Sequence, residues 1–178
     1  MHLMTNNHET PHRTRIAAPF IEELTSEAET TRRVLDRVPE DELSWRPHAT
    51  AWSLGQLALH TARVPGAFAH LLQELSVDAG PPPQPEAGSR AEILAALDDS
   101  ITRAKASLAA WSDADMLAIW RLQPGGETKF AASRAAIVRS LMLNHWYHHR
   151  GQLTVYLRQL GVPVPMVYGP SGDENPFV

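Results

Sequence analysis

Apolar side chains recur every three or four residues along four stretches of the chain, which is the spacing expected of amphipathic α-helices. Polar, proline-rich or glycine-rich segments separate these stretches, and no strand–helix–strand alternation interrupts them. The pattern therefore predicts an all-α fold, a four-helix bundle in which each apolar face is buried against its neighbours. The predicted helices cover residues 17–37, 53–75, 89–110 and 133–160.

Two of the predicted helices begin with a capping box. Ser53 is followed three residues later by Gln56, and Ser89 is followed by Glu92. In this motif the serine hydroxyl accepts from a free backbone amide of the first turn, and the longer side chain reaches back to the amide of the serine. We therefore expect both helices to begin at the residue after the serine.

Proline and glycine indicate where the helices bend or end. Pro65 lies inside the second apolar pattern, so we expect a kink there or a helix built from two pieces. The run 80–85 predicts a surface loop, and residues 112–132 predict a short irregular or hairpin insert before the last helix. Gly161 is placed to cap the last helix. Beyond it, residues 161–178 are expected to lie over the bundle as an extended strap.

Length and composition fit one globular domain. The chain has 178 residues, of which 43% are hydrophobic and 20% are charged, so it can bury an ordinary core. We therefore predict a single domain over residues 1–178. Its polar first segment, residues 1–15, shows no helical period and is expected to form a loose arm.

Charge and cysteine content exclude several classes of function. A formal net charge of −4 without a basic stripe argues against nucleic acid as a partner. The absence of cysteine excludes disulfides, thiolate nucleophiles, cysteine-type zinc sites and iron–sulfur clusters. The sequence shows neither a secretory signal nor an apolar run of membrane-spanning length, so the expected location is cytoplasmic, without a membrane partner.

Histidine is the residue type that points to chemistry. Three of the nine histidines fall close together, at His145, His148 and His149. At about 100° per residue, His145 and His149 lie one above the other on the apolar face of the last helix, where two imidazoles can hold one metal ion. The alternative is a pair of hydrogen-bonded core histidines, which is less ordinary because burying both imidazoles requires partners for four ring nitrogens. His148 lies about 100° from this face and is expected at a rim or an interface.

One helix can supply only two such ligands, so a third must come from another element. His60 is the best candidate, because it falls beside the apolar stripe of the second helix. His70 lies about 80° around that helix from His60 and is expected in solvent. His48 follows Pro47 and is expected to serve packing or a turn.

The sequence lacks the usual catalytic partners of metal-binding histidines. Trp146 stands where a zinc protease with the H-E-x-x-H motif has its glutamate, and no Glu-x-x-His pair of the di-iron type accompanies the histidines. A general base would therefore be a metal-bound hydroxide, His148, Asp173 or Glu174.

Metal-binding imidazoles also need acceptors for their second nitrogens, which fix the tautomer and the direction of the ring. Asn144 and Gln152 flank the histidine pair on the last helix. Gln56 lies one turn before His60, and Tyr156 offers the nearest hydroxyl along the histidine face. Of these residues, we predict that Gln56 or Tyr156 lies near the site.

Three stretches of the chain carry a family resemblance. They are L-S-W-R-P at residues 43–47 with A-W-S-L-G-Q-L at 51–57, then His60, and then H-W-Y-H-H-R-G-Q-L at 145–153. In this order the sequence resembles the DinB/YfiT-like superfamily of metal-binding four-helix bundle proteins, which is unrelated to the DNA polymerase of the same name.

The resemblance implies a metal site. In that family one histidine of the second helix and a pair four residues apart on the last helix bind a divalent metal ion. The matching residues here are His60, His145 and His149. Three histidines do not select between zinc, nickel and iron, all of which occur among relatives. Relatives include thiol-dependent transferases and isomerases and proteins labelled hydrolases, and they commonly form homodimers.

Three functions follow as hypotheses. The first is a metal-dependent enzyme, a thiol-dependent transferase or a hydrolase, that acts on a small molecule. Because the chain has no cysteine, any low-molecular-weight thiol must arrive as a cosubstrate. The second is a non-catalytic metal-binding stress-response protein, and the third is a structural bundle with core histidines. The missing protease glutamate favours thiol transfer over peptide hydrolysis.

Overall fold

The structure is a computed structural model and describes residues 15–80 and 82–177. It confirms the all-α prediction, and the predicted arm lies outside the described residues except for Arg15. The helices are α1 (Ala18–Leu35), α2 (Leu54–Leu71), α3 (Arg90–Ala110), the short α4 (Asp113–Leu117), α5 (Arg134–Ile137) and α6 (His145–Gln159). A π-helical segment (Val138–Asn144) joins α5 to α6, and these three pieces together are called the last helix below.

The long helices form a ring in which α1 and α2 lie diagonally across from each other. Helix α3 packs against both α1 and α2, and the last helix packs against α2 and α1 on the other side. Residues 36–53 connect α1 to α2. Every long helix contributes fully buried side chains to one core, among them Leu24, Leu35, Leu57, Leu97, Leu108, Trp146 and Leu157. The ring places α2 directly beside the last helix, so that the predicted histidine faces meet.

Helix α2 passes through Pro65 without being divided into two pieces. A proline inside a helix removes one backbone donor and disturbs the turn before it. Here the hydroxyl of Ser100 on α3 accepts from the Gly66 amide at 2.7 Å and donates to the Arg63 carbonyl at 3.2 Å. A Cβ on Gly66 would lie 2.8 Å from the Ser100 Cα, so a glycine is needed where the two helices approach.

The two predicted capping boxes differ in the structure. At Ser53 both halves form, because the hydroxyl accepts from the Gln56 amide and the Gln56 carboxamide accepts from the Ser53 amide. At Ser89 the hydroxyl accepts from the Glu92 amide as predicted. The Glu92 carboxylate, however, accepts from the Gly88 amide at 2.7 Å instead of from Ser89. At Ser89, therefore, the serine half of the predicted capping box forms and the glutamate half does not.

The insert before the last helix contains the expected hairpin. Strands β2 (Ile119–Leu122) and β3 (Phe130–Ser133) pair antiparallel, with a turn at Pro124–Gly126. A third strand, β1 (Ser76–Val77), pairs parallel with β2 and was not predicted. Helix α2 therefore ends at Leu71 and not near residue 75, because the backbone beyond it joins this small sheet. The hydrophobic period of a segment cannot predict its pairing with a strand that is distant in the sequence.

The last helix was predicted as one regular α-helix, and this was wrong over residues 138–144. The π-helical turns of Val138–Asn144 are wider than α-turns and rotate the residues that follow them. Within α6, Trp146 lies at the centre of the buried face and is fully buried. His145 lies at the edge of that face, half-buried and turned to α2.

The last helix ends at Gly161 as predicted. Gly161 has a φ of +70°, and the Val162 amide donates to the Leu157 carbonyl at 3.0 Å, which is the pattern of a Schellman cap. Beyond the cap, the Glu174 carboxylate pairs with Arg37 of α1 at 3.1 Å. Within the described residues, no helix combines the length and the apolar character needed to cross a lipid bilayer.

Candidate metal centre

Three imidazoles from two helices direct their Nε2 atoms at one another between α2 and the last helix. Nε2 of His145 lies 3.1 Å from Nε2 of His60 and 3.0 Å from Nε2 of His149. One ligand atom of each of the three lies within 4.8 Å of the others, and among the described residues no carboxylate joins the group. The structure thus brings together the three histidines that the sequence singled out, and they are called the histidine triad below.

Burial keeps the triad neutral near physiological pH. Desolvation, assisted by the charges of His149 and His145, lowers the pKa of His60 to about 4. Desolvation also lowers the pKa of His149 to about 4, against the opposing hydrogen bond of Gln152. The pKa of His145 is lowered by desolvation and by the neighbouring His148. A metal ion binds the neutral imidazole, so the triad is in the protonation state that coordination requires.

The triad nitrogens fit a divalent metal ion. Nδ1 of His149 donates to Oε1 of Gln152 at 3.0 Å, which leaves Nε2 of His149 as an unprotonated acceptor. Nε2 of His145 carries one proton at most, yet two imidazoles face it at hydrogen-bond distance. In a tetrahedral site with metal–nitrogen distances near 2.0–2.1 Å, ligand nitrogens lie about 3.3 Å apart, which is close to the separations found here. The three histidines can therefore hold a metal ion.

Trp52 packs directly on the triad. Its indole stacks on His149, with ring centroids 5.5 Å apart and 22° between the planes. It meets His60 edge-on, with centroids 4.9 Å apart. The backbone carbonyl of Trp52 accepts from the Tyr156 hydroxyl at 3.3 Å. These contacts fix Trp52 between His60 of α2 and His149 of α6.

A close backbone approach holds the segment before α2 in this position. The Gly55 amide donates to the Leu43 carbonyl at 2.8 Å, and the Leu54 amide donates to the Trp45 carbonyl at 2.9 Å. A Cβ on Gly55 would lie 3.1 Å from the Leu43 oxygen, which is tighter than an ordinary contact. The glycine therefore allows the loop that carries Trp52 to lie against the first turn of α2.

Two of the cavities lined by described residues reach the triad, and Trp52 lines both. The larger, of about 380 Å³, is called the apolar chamber; it is lined by Trp52, His60, Arg63, Val64, Ala67, Phe68, Leu71, Pro82, Pro83, Gln84, Pro85 and His145. The smaller, of about 260 Å³, is called the polar cleft; it is lined by Thr50, Ala51, Trp52, His148, His149, Gln152 and Tyr156. The triad is thus accessible to small molecules.

The other three histidines of the described residues lie where the sequence placed them. His148 is exposed beside the triad, its ring centroid 4.9 Å from that of His149, and it lines the polar cleft. His70 is exposed on α2. His48 is a turn residue whose Nδ1 accepts from the Thr50 amide at 3.2 Å.

The two acidic residues considered as general bases are engaged in the tail. Asp173 pairs with Arg158 and accepts from the Val164 amide. Glu174 accepts from the Met166 amide at 2.9 Å in addition to its pair with α1. Neither carboxylate lines the apolar chamber or the polar cleft.

Of the two residues predicted near the site, Tyr156 lines the polar cleft together with His149. Gln152 accepts the hydrogen bond from Nδ1 of His149. Gln56 and Tyr156 instead contact the backbone of residues that line the two cavities. The Gln56 carboxamide donates to the Gln84 carbonyl at 2.8 Å and so fixes the wall of the apolar chamber. Tyr156 contacts the backbone of Trp52, as described above. Helical spacing places each residue on a face, but side-chain reach decides which acceptor meets the imidazole.

Sequence reasoning missed two aromatic walls of the site. Trp52 was noted only as part of the family motif, and Phe68, whose ring centroid lies 5.9 Å from that of His145, only as an apolar position. Phe68 follows His60 by eight residues, with Val64 at the fourth, so it lies a little over two turns further along α2 and about 80° around it, on the side opposite to His70. That spacing was the available signal for Phe68. No comparable signal located the 82–85 wall, which the contact with Gln56 holds in place.

Comparison with known proteins identifies the family and the fold. The family model of the DinB family matches residues 4–175. The Bacillus subtilis protein YrdA is 27% identical over 161 residues, which cover 87% of this chain and 89% of that protein. The crystal structure of a DinB-like protein from Bacillus cereus is 29% identical and superimposes with a TM-score of 0.65, covering 85% of this chain and 97% of that one.

A second DinB-like structure, YjoA from Bacillus subtilis, shares the fold at 17% identity. It also gives a TM-score of 0.65, with 84% of this chain and 96% of that chain covered. The family match over nearly the whole length, together with the fold, decides the relationship. The chain belongs to the DinB family.

Proposed function

We propose that this protein is a metal-dependent enzyme that transfers a low-molecular-weight thiol to a small electrophilic substrate. In this proposal His60, His145 and His149 bind one divalent metal ion. The observation that supports it most is the convergence of three neutral imidazole nitrogens at a point that two cavities reach. A site that was purely structural would have no need of this access.

A divalent ion held by three histidines keeps coordination positions open and lowers the pKa of a thiol or a water molecule that it binds. The triad and Gln152 would hold such an ion in place. Trp52 and Phe68 would exclude water from the triad on the side of the apolar chamber.

The groups around the triad favour a thiol over water as the nucleophile. No carboxylate lines either cavity among the described residues, so a hydrolytic reaction has no acidic residue to act as base. A thiol, with a pKa near 8.5, loses its proton far more easily than water does. In the transfer the thiol proton passes to His148 or to solvent, the sulfur–carbon bond forms, and the leaving group departs with the bonding electrons.

The source of the thiol follows from the composition. The chain has no cysteine, so the sulfur must come from a cosubstrate. Low-molecular-weight thiols are kept reduced in the cytoplasm, which we propose as the compartment of this reaction. The polar cleft, lined by Thr50, His148 and Gln152, is the suitable entry for such a hydrophilic cosubstrate.

Metal content is the first test of the proposal. The full chain would be purified without a histidine tag, and its metals counted by inductively coupled plasma mass spectrometry. We expect one divalent ion per chain in the wild type and loss of most of it in His60→Ala and His149→Ala. His70→Ala on α2 and His148→Ala on α6 are the matched controls and should retain the metal. A wild-type protein without stoichiometric metal would overturn the proposal.

Activity is the second test. Metal-loaded protein would be mixed with cysteine or glutathione and chlorodinitrobenzene, and thioether formation followed by absorbance. We expect turnover that disappears with the metal in His149→Ala. Stoichiometric metal without turnover on a range of electrophiles would instead support a non-catalytic metal-binding stress-response protein.

A further inference from the structure

We infer that the apolar chamber binds an amphiphilic organic anion, with the anionic head at Arg63 beside the triad and the apolar body extended along α2. As an identification of the substrate class this rests on the proposed function. As a binding site it depends only on the walls that the chain itself supplies.

The first argument is the chemistry of the walls. Phe68, Leu71, Val64 and Trp52 supply apolar surface, and the exposed prolines at 82, 83 and 85 add a further apolar wall. Burying apolar area from water contributes about 25 cal/mol per Å². A polar ligand such as a sugar would leave its hydroxyls without partners against these walls. The chamber therefore selects an aryl or alkyl group.

The second argument is size and direction. His60 and Leu71 mark the two ends of the lining on α2, and eleven residues of helix rise about 16 Å. A cavity of about 150 Å³ accommodates one benzene ring. The chamber, at about 380 Å³, has room for roughly two to three aromatic rings or an alkyl chain of similar volume. The ligand must lie lengthwise, with one end at His60.

The third argument is the charge at the triad end. Arg63 lies three residues after His60, on the same side of α2, and lines the chamber. Its guanidinium is half-exposed and only 3.8 Å from the Glu92 carboxylate, so this pair is weak and open to exchange. No acidic side chain lines the chamber among the described residues. A carboxylate or sulfonate on the ligand can therefore pair with Arg63 while its neighbouring atoms face the triad.

Two fluorescent probes test both halves of the inference. Anilinonaphthalene sulfonate has the apolar body and the anion, and N-phenylnaphthylamine has the same rings without the charge. Each would be titrated against the full-length protein as purified, with metal content measured on the same samples. We expect one site per chain for both probes.

Three variants locate that site. Ala67 is exposed into the chamber, so Ala67→Trp fills it without adding to the core and should weaken both probes at least about tenfold. Arg63→Gln should weaken the binding of the sulfonate probe only. The expected loss of affinity is about fivefold, which corresponds to the free energy of a partly exposed ion pair. Arg103→Gln removes the same charge from an exposed pair on α3 and should change neither probe.

The outcomes separate the two proposals. A molten globule would raise the fluorescence of the sulfonate probe, and complete unfolding would abolish the helical far-UV circular dichroism. Loss of probe binding in an Ala67→Trp protein with wild-type circular dichroism therefore cannot come from misfolding. Unchanged binding in Ala67→Trp would overturn the chamber as the site, and equal effects of Arg63→Gln on both probes would overturn the anion. Probe binding that responds as expected in a protein without metal would leave the chamber standing and remove the metal-dependent function.

Discussion

Gln152 accepts a hydrogen bond from Nδ1 of His149 at 3.0 Å, from a position three residues later on the same helix. The bond fixes the tautomer of His149, so that its Nε2 lone pair faces His145 and His60. Since Gln152 also lines the polar cleft, a residue at the edge of solvent determines the direction of a buried imidazole.

We predict that Gln152→Leu weakens metal binding about 10- to 100-fold, because the imidazole loses the acceptor that orients it. The measurement is a competition titration with a chromophoric chelator on untagged protein. Gln159→Leu is the matched control, since Gln159 is also exposed on α6 but lies outside both cavities. Equal affinities in the two variants would mean that Gln152 does not position His149.

Much of the fold was predictable because the apolar period and the serine caps are local. The hairpin insert, the Gly161 cap and the three histidines were found in this way. The strand Ser76–Val77 was missed because its partner in β2 lies more than 40 residues away. The π-helical turns were missed because a regular period of 3.6 was assumed. Trp52 was undervalued because its role depends on a loop that Gly55 allows to fold back.

Acid should destabilise the metal-free protein, and the pKa values of His60 and His149 define the pH range of this effect. The pKa of His60 and that of His149 are lowered from 6.5 to about 4 in the folded state. Above about pH 6.5 neither state binds protons at these imidazoles. Between about pH 6.5 and 4 the unfolded chain binds protons that the folded chain does not, so the free energy of unfolding decreases as the pH falls. Below about pH 4 this contribution levels off.

Urea unfolding of chelator-treated protein across this range measures the effect. We expect His60→Leu to make the dependence on pH shallower, because one of the two titrating imidazoles is removed. His70→Leu, which changes an exposed histidine of the same helix, should retain the wild-type slope. A slope in His60→Leu as steep as in the wild type would contradict a buried, neutral His60.

Arg150 is the most buried charge described in the structure, with 1% of its side chain exposed. It pairs with Glu27 at 2.6 Å and donates to the Thr31 hydroxyl at 3.1 Å, which ties α6 to α1. We predict that Arg150→Ala costs about 3 kcal/mol of unfolding free energy, because Glu27 is left as a mostly buried charge without its partner. Thermal and urea unfolding would measure the loss.

The control for Arg150 is an ion pair of the same kind at the surface. Arg103 pairs with Asp99 one turn earlier on α3, and both side chains are more than half exposed. Arg103→Ala should therefore change the unfolding free energy by about 0.5 kcal/mol or less. Replacing both Arg150 and Glu27 by apolar residues, as in Arg150→Met with Glu27→Leu, should recover most of the loss, because no unpaired charge remains.

Two helical glycines should respond in opposite directions to the same substitution. Alanine is the better helix former, by about 1 kcal/mol relative to glycine. A Cβ on Gly151 of α6 would meet no heavy atom within 4 Å, so Gly151→Ala should stabilise the protein by about 0.5–1 kcal/mol. At Gly66 the same Cβ would lie 2.8 Å from the backbone of Ser100, which cannot move aside as a side-chain tip can. Gly66→Ala should therefore force α2 and α3 apart and cost about 1–3 kcal/mol of unfolding free energy despite the better helix propensity of alanine.

Urea unfolding of both variants measures the two changes in unfolding free energy. A stabilised Gly66→Ala would show that α3 does not approach α2 as closely as the contact with Ser100 indicates.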